Sequence, residues 1–481
     1  MLVIGSGIAG MSTALHLSKM GKVTMLTKTK LISGSTPLAQ GGIAGVINPK
    51  DSFEKHIHDT IKVGGFTNNK STVEILVKNA PQEIHFLRKL GVPFEKDQHL
   101  EGGHSFPRVS NVKDISGKII AETLAFHVLS NKNINIIENA EVLSLEDTTC
   151  NFKKIIFRHH INNSNIKKII RSKYVVFATG GYSSLYNAST SPKDNLGDGI
   201  SICLNAKIKT KDLDKVQFHP TVFKINRKKN QPQLLLTEAI RGFGARIINQ
   251  DEDKIIDALQ PRDVVSRAIY IAEKNGDNVF LDARNIENFS KHFPYVSSVL
   301  QKEFNMNAEK DLLPITFGAH YCMGGIETDI NGETSVKNIY AVGECANTGV
   351  HGNNRLASNS LLEGVVFARQ IAKHITKKQE NNLNNLEILE KVEDLECIEE
   401  IEEINKISEN TELNNQFLDI IKNTLSQYLS IETDLIKKRE NIKLAQEIFQ
   451  KFENKKSELS QKNQNILLLV QNLAQDAKRN V

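Results

Sequence analysis

Apolar residues gather in three short unbroken runs, each ending at glycine: Leu2-Val3-Ile4 before Gly5, Val175-Val176-Phe177-Ala178-Thr179 before Gly180-Gly181, and Ile339-Tyr340-Ala341-Val342 before Gly343. A run without polar alternation predicts a strand buried on both faces, as in a parallel sheet. The first run leads into Met11 to Met20, apolar at helical spacing, and then Val23-Thr24-Met25-Leu26, which predicts strand, turn, helix, strand over residues 2–27. Because the three runs come from both halves of the chain, they predict one doubly wound sheet assembled from distant segments. Residues 213–321 break this rhythm and hold most of the unusual polar residues. They predict an inserted second domain, with a site between the two bodies.

After about residue 376 the pattern changes. Residues 377–410 are rich in Lys, Glu and Asn with few apolar anchors, and predict a solvated helix or linker. Beyond them Phe417, Leu418, Ile421 and Leu425, then Leu435, Ile442, Ala445, Phe449 and Phe452, then Ile466 to Leu473 recur at helical spacing. Three amphipathic helices bury such stripes only against each other or the main body. The expected organisation is therefore 1–212 with 322–376 as one discontinuous domain, 213–321 as a cap, and 377–481 as a linker and helical unit.

Composition narrows the function classes. With 481 residues, 40% hydrophobic and 24% charged, the chain has ample core for several domains. A net charge of +5 gives nucleic-acid binding little electrostatic support. Cys150, Cys203, Cys322, Cys345 and Cys397 form no C-x-x-C pair, so neither a disulfide framework nor a metal cluster is expected, and a reducing cytoplasm fits. No apolar run reaches the roughly 18 residues of a membrane span. The chain enters its first strand directly, leaving no room for a signal peptide and making little of the sequon Asn162-Asn163-Ser164.

The chemistry begins at Gly5-Ser6-Gly7-Ile8-Ala9-Gly10, a dinucleotide fingerprint in its strand-turn-helix context. Gly5 permits the bend, Gly7 lets a pyrophosphate approach the backbone, and Gly10 allows close helix packing. The second strand ends in Thr27-Lys28, where a ribose-gripping carboxylate usually stands. From position alone Lys28 is equally a phosphate or ribose ligand and a plain surface lysine. Next comes Ser33-Gly34-Ser35-Thr36-Pro37-Leu38-Ala39-Gln40-Gly41-Gly42, whose small side chains suit a bed for a planar ring. The stretch His351 to Glu363 sets Arg355 beside a small-residue turn before a helix, an arrangement that holds an organic carboxylate against such a ring. His219, Thr237, Arg241, Arg262 and His320 complete an inventory for a dicarboxylate: neutral imidazoles, a hydroxyl and guanidiniums that bind carboxylates bidentately. His219 and His320 lack the local spacing of metal ligands. No nucleophile elbow of the G-x-S-x-G kind occurs.

Through Gly5 to Gly10, Ser35 to Ile43, Gln217 to Thr221, Thr237 to Gly242, Pro261-Arg262-Asp263 and His351 to Glu363, residues 1–375 resemble the succinate dehydrogenase and fumarate reductase flavoprotein superfamily. Within it they resemble most the L-aspartate oxidase family. The resemblance implies an α/β FAD-binding, Rossmann-like domain with an inserted α+β capping domain and a C-terminal helical bundle. It implies FAD-dependent oxidation of L-aspartate to iminoaspartate, the first step of NAD biosynthesis, with oxygen or fumarate as acceptor and quinolinate synthase receiving the product. By resemblance FAD is contacted by Ser6, Gly7, Ile8, Ala9, Lys28, Ser35, Thr36, Pro37, Leu38, Ala39, Gln40, Gly41, Gly42, Asp198, Glu344, Ser360 and Leu361. Substrate carboxylates fall to His219, Thr237, His320 and Arg355; Arg262 resembles the proton donor and acceptor, and Glu238 with Arg241 its relay.

Two positions separate the chain from the respiratory members. Those carry a flavin-linked histidine where Ser35 stands, so FAD is expected to be noncovalent. They lack an acid in the turn Glu101-Gly102-Gly103-His104-Ser105, where Glu101 can pair with a substrate ammonium. One departure from the oxidase pattern is Phe243, where a second glutamate usually follows Arg241-Gly242. The alternative is a soluble fumarate reductase or succinate dehydrogenase-type subunit, which Ser35 and Glu101 oppose. A flavin-binding scaffold without chemistry would not need Arg262, His219, His320 and Arg355 together.

Overall fold

The structure is a computed structural model that describes residues 1–161, 164–225, 231–384, 398–403, 411–429, 431 and 435–481. Cys397 and part of the Asn162-Asn163-Ser164 sequon lie outside these residues, as does much of 377–410. Leu2–Ile4, Val23–Leu26, Ile134–Ile137, Val175–Phe177 and Ile339–Ala341 form one five-stranded sheet. All its pairs are parallel, with Leu2 beside both Thr24 and Val175, and Val175 beside Ile339. The three apolar runs are thus three neighbouring strands, buried throughout. Helices Ile8–Leu17, Lys70–Leu90, Ser116–Leu129 and Asn359–Asn384 pack one face into a shared core. The opposite face joins a second core that includes Phe177, Ile200 and Cys203.

A second five-stranded sheet runs Val216–Phe223, Leu313–Cys322, Phe280–Asp282, Arg246–Ile248, Lys254–Ile256, all antiparallel. Helices Arg262–Lys274 and Pro294–Phe304 cover it, and Phe223, Ile247, Ile269, Leu281 and Phe289 give it a core of its own. The fold class read from the sequence is the one observed.

Two features depart from the sequence reading. The expected helix or linker at 377–410 contains a strand, Ile398–Glu403, paired antiparallel with Ser164–Ser172. It edges a four-stranded sheet with Lys153–Ile161 and Ala140–Glu146, a sheet the sequence reading left out. Its strands carry Lys, Arg and His among their apolar residues, so their alternation is weak, and pairing rather than pattern fixes them. At the C-terminus, Thr411–Tyr428, Leu435–Glu453 and Gln461–Arg479 are helical. Phe417, Ile421, Leu425, Ala445, Phe449, Ile466, Leu469 and Leu473 bury against each other and into the core that holds Phe177 and Ile200. The helical stripes therefore close the flank of the parallel sheet.

Candidate active site and flavin cavity

Close backbone approach builds the Gly5–Gly10 turn. Gly5 has φ +111°, and a Cβ on it would stand 2.2 Å from the Ala178 carbonyl oxygen; one on Gly10 would stand 2.0 Å from that of Gly5. Only glycine lets the first strand, the first helix and strand Val175–Phe177 meet so tightly. Helix Ile8–Leu17 starts at Gly7 without a side-chain cap. Its Ile8 N–H instead donates to Thr36 Oγ1 at 3.0 Å, tying the fingerprint to the small-residue loop. Ser6 and Thr27 hydroxyls, 2.8 Å apart, tie it to the second strand.

A long cavity starts at this turn. Ser6, Gly7, Ile8, Ala9, Lys28, Ser35, Thr36, Leu38, Ala39, Gln40, Asp198, Glu344, Ser360 and Leu361 line it. Pro37, Gly41 and Gly42 do not. Gly42 packs on strand Val109–Ser110, where a Cβ would stand 2.1 Å from the Ser110 carbonyl oxygen, so its missing side chain serves packing rather than a ring. Gly41 lies against Glu101, whose Oε1 would be 3.1 Å from a Cβ there. The sequence reading had missed Asn195, Thr190 and Leu235, which also form the wall. Gln40 Nε2 donates to the Leu235 carbonyl at 2.8 Å, while Gln40 Oε1 and Asn195 Nδ2 are buried without partners. Buried unpaired donors and acceptors on a cavity wall fit a ligand rich in ring nitrogens, carbonyls and hydroxyls, as FAD is. Burial pushes the Glu344 carboxyl up to about 7, and Cys322 N–H donates to its Oε1 at 3.0 Å.

Lys28 and Asp198, read as separate ligands, form an ion pair of 2.5 Å on the cavity wall. Burial would discharge the lysine, but the Asp198 carboxylate holds its ammonium above the usual range. Glu141, 3.8 Å from Lys28, also lines this end.

The substrate set comes together where the two sheets meet. Antiparallel pairing of Val216–Phe223 with Leu313–Cys322 sets the His219 and His320 rings 5.0 Å apart. Thr221 N–H donates to His219 Nδ1 at 3.2 Å, which leaves the proton of the neutral ring on Nε2. His320 Nδ1 meets Thr190 Oγ1 at 2.7 Å. Burial, then Arg262, pulls both imidazoles well below the usual value, so both are neutral. Thr237 is buried and precedes the short helix Glu238–Gly242.

The first turn of helix Arg262–Lys274 faces that short helix. Arg262 Nε and Nη2 each lie 2.6 Å from Glu238 Oε2, and Arg241 Nη2 lies 2.8 Å from Oε1. The two arginines hold the Glu238 carboxylate below its usual range although burial opposes this. Arg262 Nη1 also donates to Gln217 Oε1 at 2.9 Å. Gln217 Nε2 donates to Asn354 Oδ1 at 2.6 Å and to the Arg355 carbonyl at 2.8 Å, a bridge the sequence reading did not assign. Arg355 stacks on Tyr321 at 4.5 Å, and its Nε is buried without a partner. Burial, then the charge of Arg262, brings its guanidinium down to about 10. Two neighbouring guanidiniums in a dry site attract an anion.

Glu101 closes this cluster. Ser358 donates to its Oε2 at 2.6 Å, and burial, then Glu238, pushes its carboxyl above the usual range. Ser358 has φ +59°, the left-handed region that a non-glycine residue enters at a cost of about 1 kcal/mol. Arg108 supports the Glu101 turn from behind. Fully buried, it binds Asp51 and Asp59 and donates to His104 Nδ1 at 3.1 Å, so His104 Nε2 donates to the Ala357 carbonyl at 3.0 Å. Gly102 faces Glu238, whose Oε1 would lie 2.2 Å from a Cβ there. Phe243 stands outside the relay, packed on His292 at 4.8 Å and Phe293 at 5.3 Å.

Comparison with known proteins decides the family. A model described as an FAD binding domain matches residues 1–361. An L-aspartate oxidase of Clostridium perfringens is 37% identical over 389 residues, covering 79% of this chain and 87% of its own. The chain belongs to the L-aspartate oxidase family. A Pyrococcus horikoshii L-aspartate oxidase is likewise 37% identical, with 78% of each chain covered. Among solved structures, an E. coli quinol fumarate reductase chain superposes with a TM-score of 0.80 at 24% identity, covering 99% of this chain and 88% of its own. That likeness shows the shared fold of the L-aspartate oxidase family and the fumarate reductases. Among the described residues no helix is long and apolar enough to cross a membrane, and no group of His, Cys, Asp and Glu suits a metal ion.

Proposed function

We propose that the chain oxidises L-aspartate to iminoaspartate with noncovalent FAD. The observation that carries this reading is Glu101, a buried carboxyl that no described arginine pairs as Arg262 and Arg241 pair Glu238, set beside the guanidinium and imidazole cluster of a dicarboxylate site. Family membership supports it, and Ser35 on the cavity wall stands where the respiratory members carry the histidine that bonds the flavin. FAD, when bound, supplies the acceptor for a hydride from Cα. The protein's residues do the rest. Arg355, Arg262, His219, His320 and Thr237 hold the two carboxylates, and the burial of all of them but the partly exposed His320 keeps water from competing. Glu101 takes the ammonium, whose charge stabilises the ionised carboxyl that burial and Glu238 disfavour. As hydride leaves Cα and a proton leaves nitrogen, the C=N bond of iminoaspartate forms.

Arg262, Glu238 and Arg241 form a continuous charged chain from the site. Arginine is a poor base because its pKa exceeds about 12, so in the aspartate direction Arg262 orients and stabilises charge. In the reverse sense, with fumarate as acceptor, it donates the proton that accompanies hydride. We place the enzyme in the cytoplasm, passing iminoaspartate to quinolinate synthase as the family resemblance implies. Turnover assays with L-aspartate, succinate and fumarate test the reading: aspartate oxidation with no succinate oxidation is expected, and the converse overturns it.

A further inference from the structure

The two arginines of the carboxylate site are held in different ways. Arg262 is fixed by the Glu238 carboxylate at 2.6 Å and by Gln217 Oε1 at 2.9 Å, so part of its charge is already neutralised within the protein. Among the described residues Arg355 has no carboxylate partner: its guanidinium donates from Nη1 to Ser360 Oγ at 3.2 Å, and its Nε is buried without a partner. Its Cζ instead lies over the Tyr321 ring, 4.5 Å from the centroid.

That ring is itself anchored. Strand Leu313–Cys322 places it, buried, on the wall of the flavin cavity, and its hydroxyl donates to Glu363 Oε2 at 2.8 Å. Thr348 Oγ1 donates to Glu363 Oε1 at 2.5 Å, and His351 Nε2 lies 3.0 Å from Oε2. Burial opposes the charge on Glu363, but His351 and the hydrogen bonds to His351, Thr348 and Tyr321 hold the carboxyl below its usual range. Burial, then Glu363, keeps the phenol well above its ordinary value, so it stays a donor. An ionised acceptor on the phenol oxygen pushes electron density toward the ring and strengthens the pull of its face on a cation.

A carboxylate set against Arg355 would fix its plane but would cancel its charge and occupy its donors. An aromatic face fixes the plane and does neither, because the N–H donors leave from the edge of the guanidinium. We propose that Tyr321 is a positioning residue for substrate binding: its ring, anchored by Glu363, holds the Arg355 guanidinium in place and leaves it free to take a substrate carboxylate. The proposal rests on the dicarboxylate reading of this site and assigns no contact between Tyr321 and the substrate.

The test uses full-length, FAD-loaded enzyme and succinate as a ligand that is not oxidised, with Kd read from the change in flavin absorbance. Tyr321→Phe and Tyr321→Leu both leave Glu363 without the hydroxyl and differ in the aromatic face. Tyr321→Leu is expected to raise Kd roughly ten-fold or more, as loss of a desolvated cation–π contact does, and Tyr321→Phe less than about three-fold. Mono-, di- and trifluorinated phenylalanine at position 321 keep the shape of the ring while draining its face, so Kd should climb with each fluorine whether or not Tyr321→Leu folds. KM for L-aspartate should rise in the same order, with the Kd for FAD, measured on flavin-stripped protein, unchanged throughout. A flat fluorine series, or equal weakening by the two simple substitutions, shows that the ring only fills space and overturns the proposal. So does a rise in the Kd for FAD with none in that for succinate, which makes Tyr321 a flavin contact. If the wild-type enzyme binds neither succinate nor L-aspartate, the dicarboxylate reading itself falls instead.

Discussion

The Ser358 hydroxyl donates to Glu101 Oε2 across 2.6 Å, joining the loop before helix Asn359–Asn384 to a turn 257 residues earlier in the chain. The bond aims a buried carboxyl, and the left-handed backbone of Ser358 is part of how it is aimed. Glu101→Gln is expected to lose aspartate oxidation but to keep fumarate reduction, because fumarate has no amine. Losing one partner of a desolvated charge pair costs on the order of 2–5 kcal/mol, which kcat/KM for the two substrates reads directly. Ser358→Ala should follow the same selectivity with a smaller loss, about 1 kcal/mol for one hydrogen bond. Equal losses for both substrates would make Glu101 structural.

The parts of this arrangement differ in how legible they were. The parallel sheet was plain because its strands are unbroken apolar runs, and the glycine turn because its geometry tolerates no side chain. Arg262, Glu238, His219 and His320 were recognisable as a group through motifs, and the structure pairs Arg262 with Glu238 and His219 with His320, with the Arg262 charge felt by both imidazoles. The supports were not legible. No pattern around Arg108 predicts that Asp51 and Asp59, 57 and 49 residues away, fix it behind the Glu101 turn. Such residues take their meaning from pairings across long chain separations, which hydrophobic periodicity does not encode.

Noncovalent FAD is the outcome expected from Ser35, which lines the cavity where the respiratory members carry a flavin-linked histidine. Acid precipitation of the holoenzyme should leave all yellow flavin in the supernatant. Flavin fluorescence migrating with the denatured polypeptide would refute this.

Buried histidines give a second check on the site's electrostatics. Burial drives His56 to about 3 and His104 to about 4 from the ordinary 6.5, and takes His219 and His320 well below it. A depressed folded value means that each contributes stability fully present above 6.5, which fades as pH falls below it. In protein labelled at histidine nitrogens, these four rings should therefore hold the neutral spectrum from pH 8 to about 5. A His219 or His320 signal that titrates near 6.5 would show that the substrate site is wetter and less cationic than its geometry implies.

Arg262 tests whether one site serves both half-reactions. Aspartate and fumarate share two carboxylates on a four-carbon chain, so the cluster that grips one should grip the other. Arg262 also sits between Glu238 and Gln217, where it can be reprotonated through the charged chain to Arg241. Arg262→Leu should abolish fumarate-dependent turnover, by at least ~100-fold for a lost general acid. Chemically reduced holoenzyme should still be reoxidised by oxygen at nearly the wild-type rate, since oxygen needs neither carboxylate binding nor that proton donor. Anaerobic and aerobic stopped-flow separate the two. If fumarate fails to reoxidise the wild-type enzyme, or if Arg262→Leu slows oxygen and fumarate alike, aspartate and fumarate do not share this site.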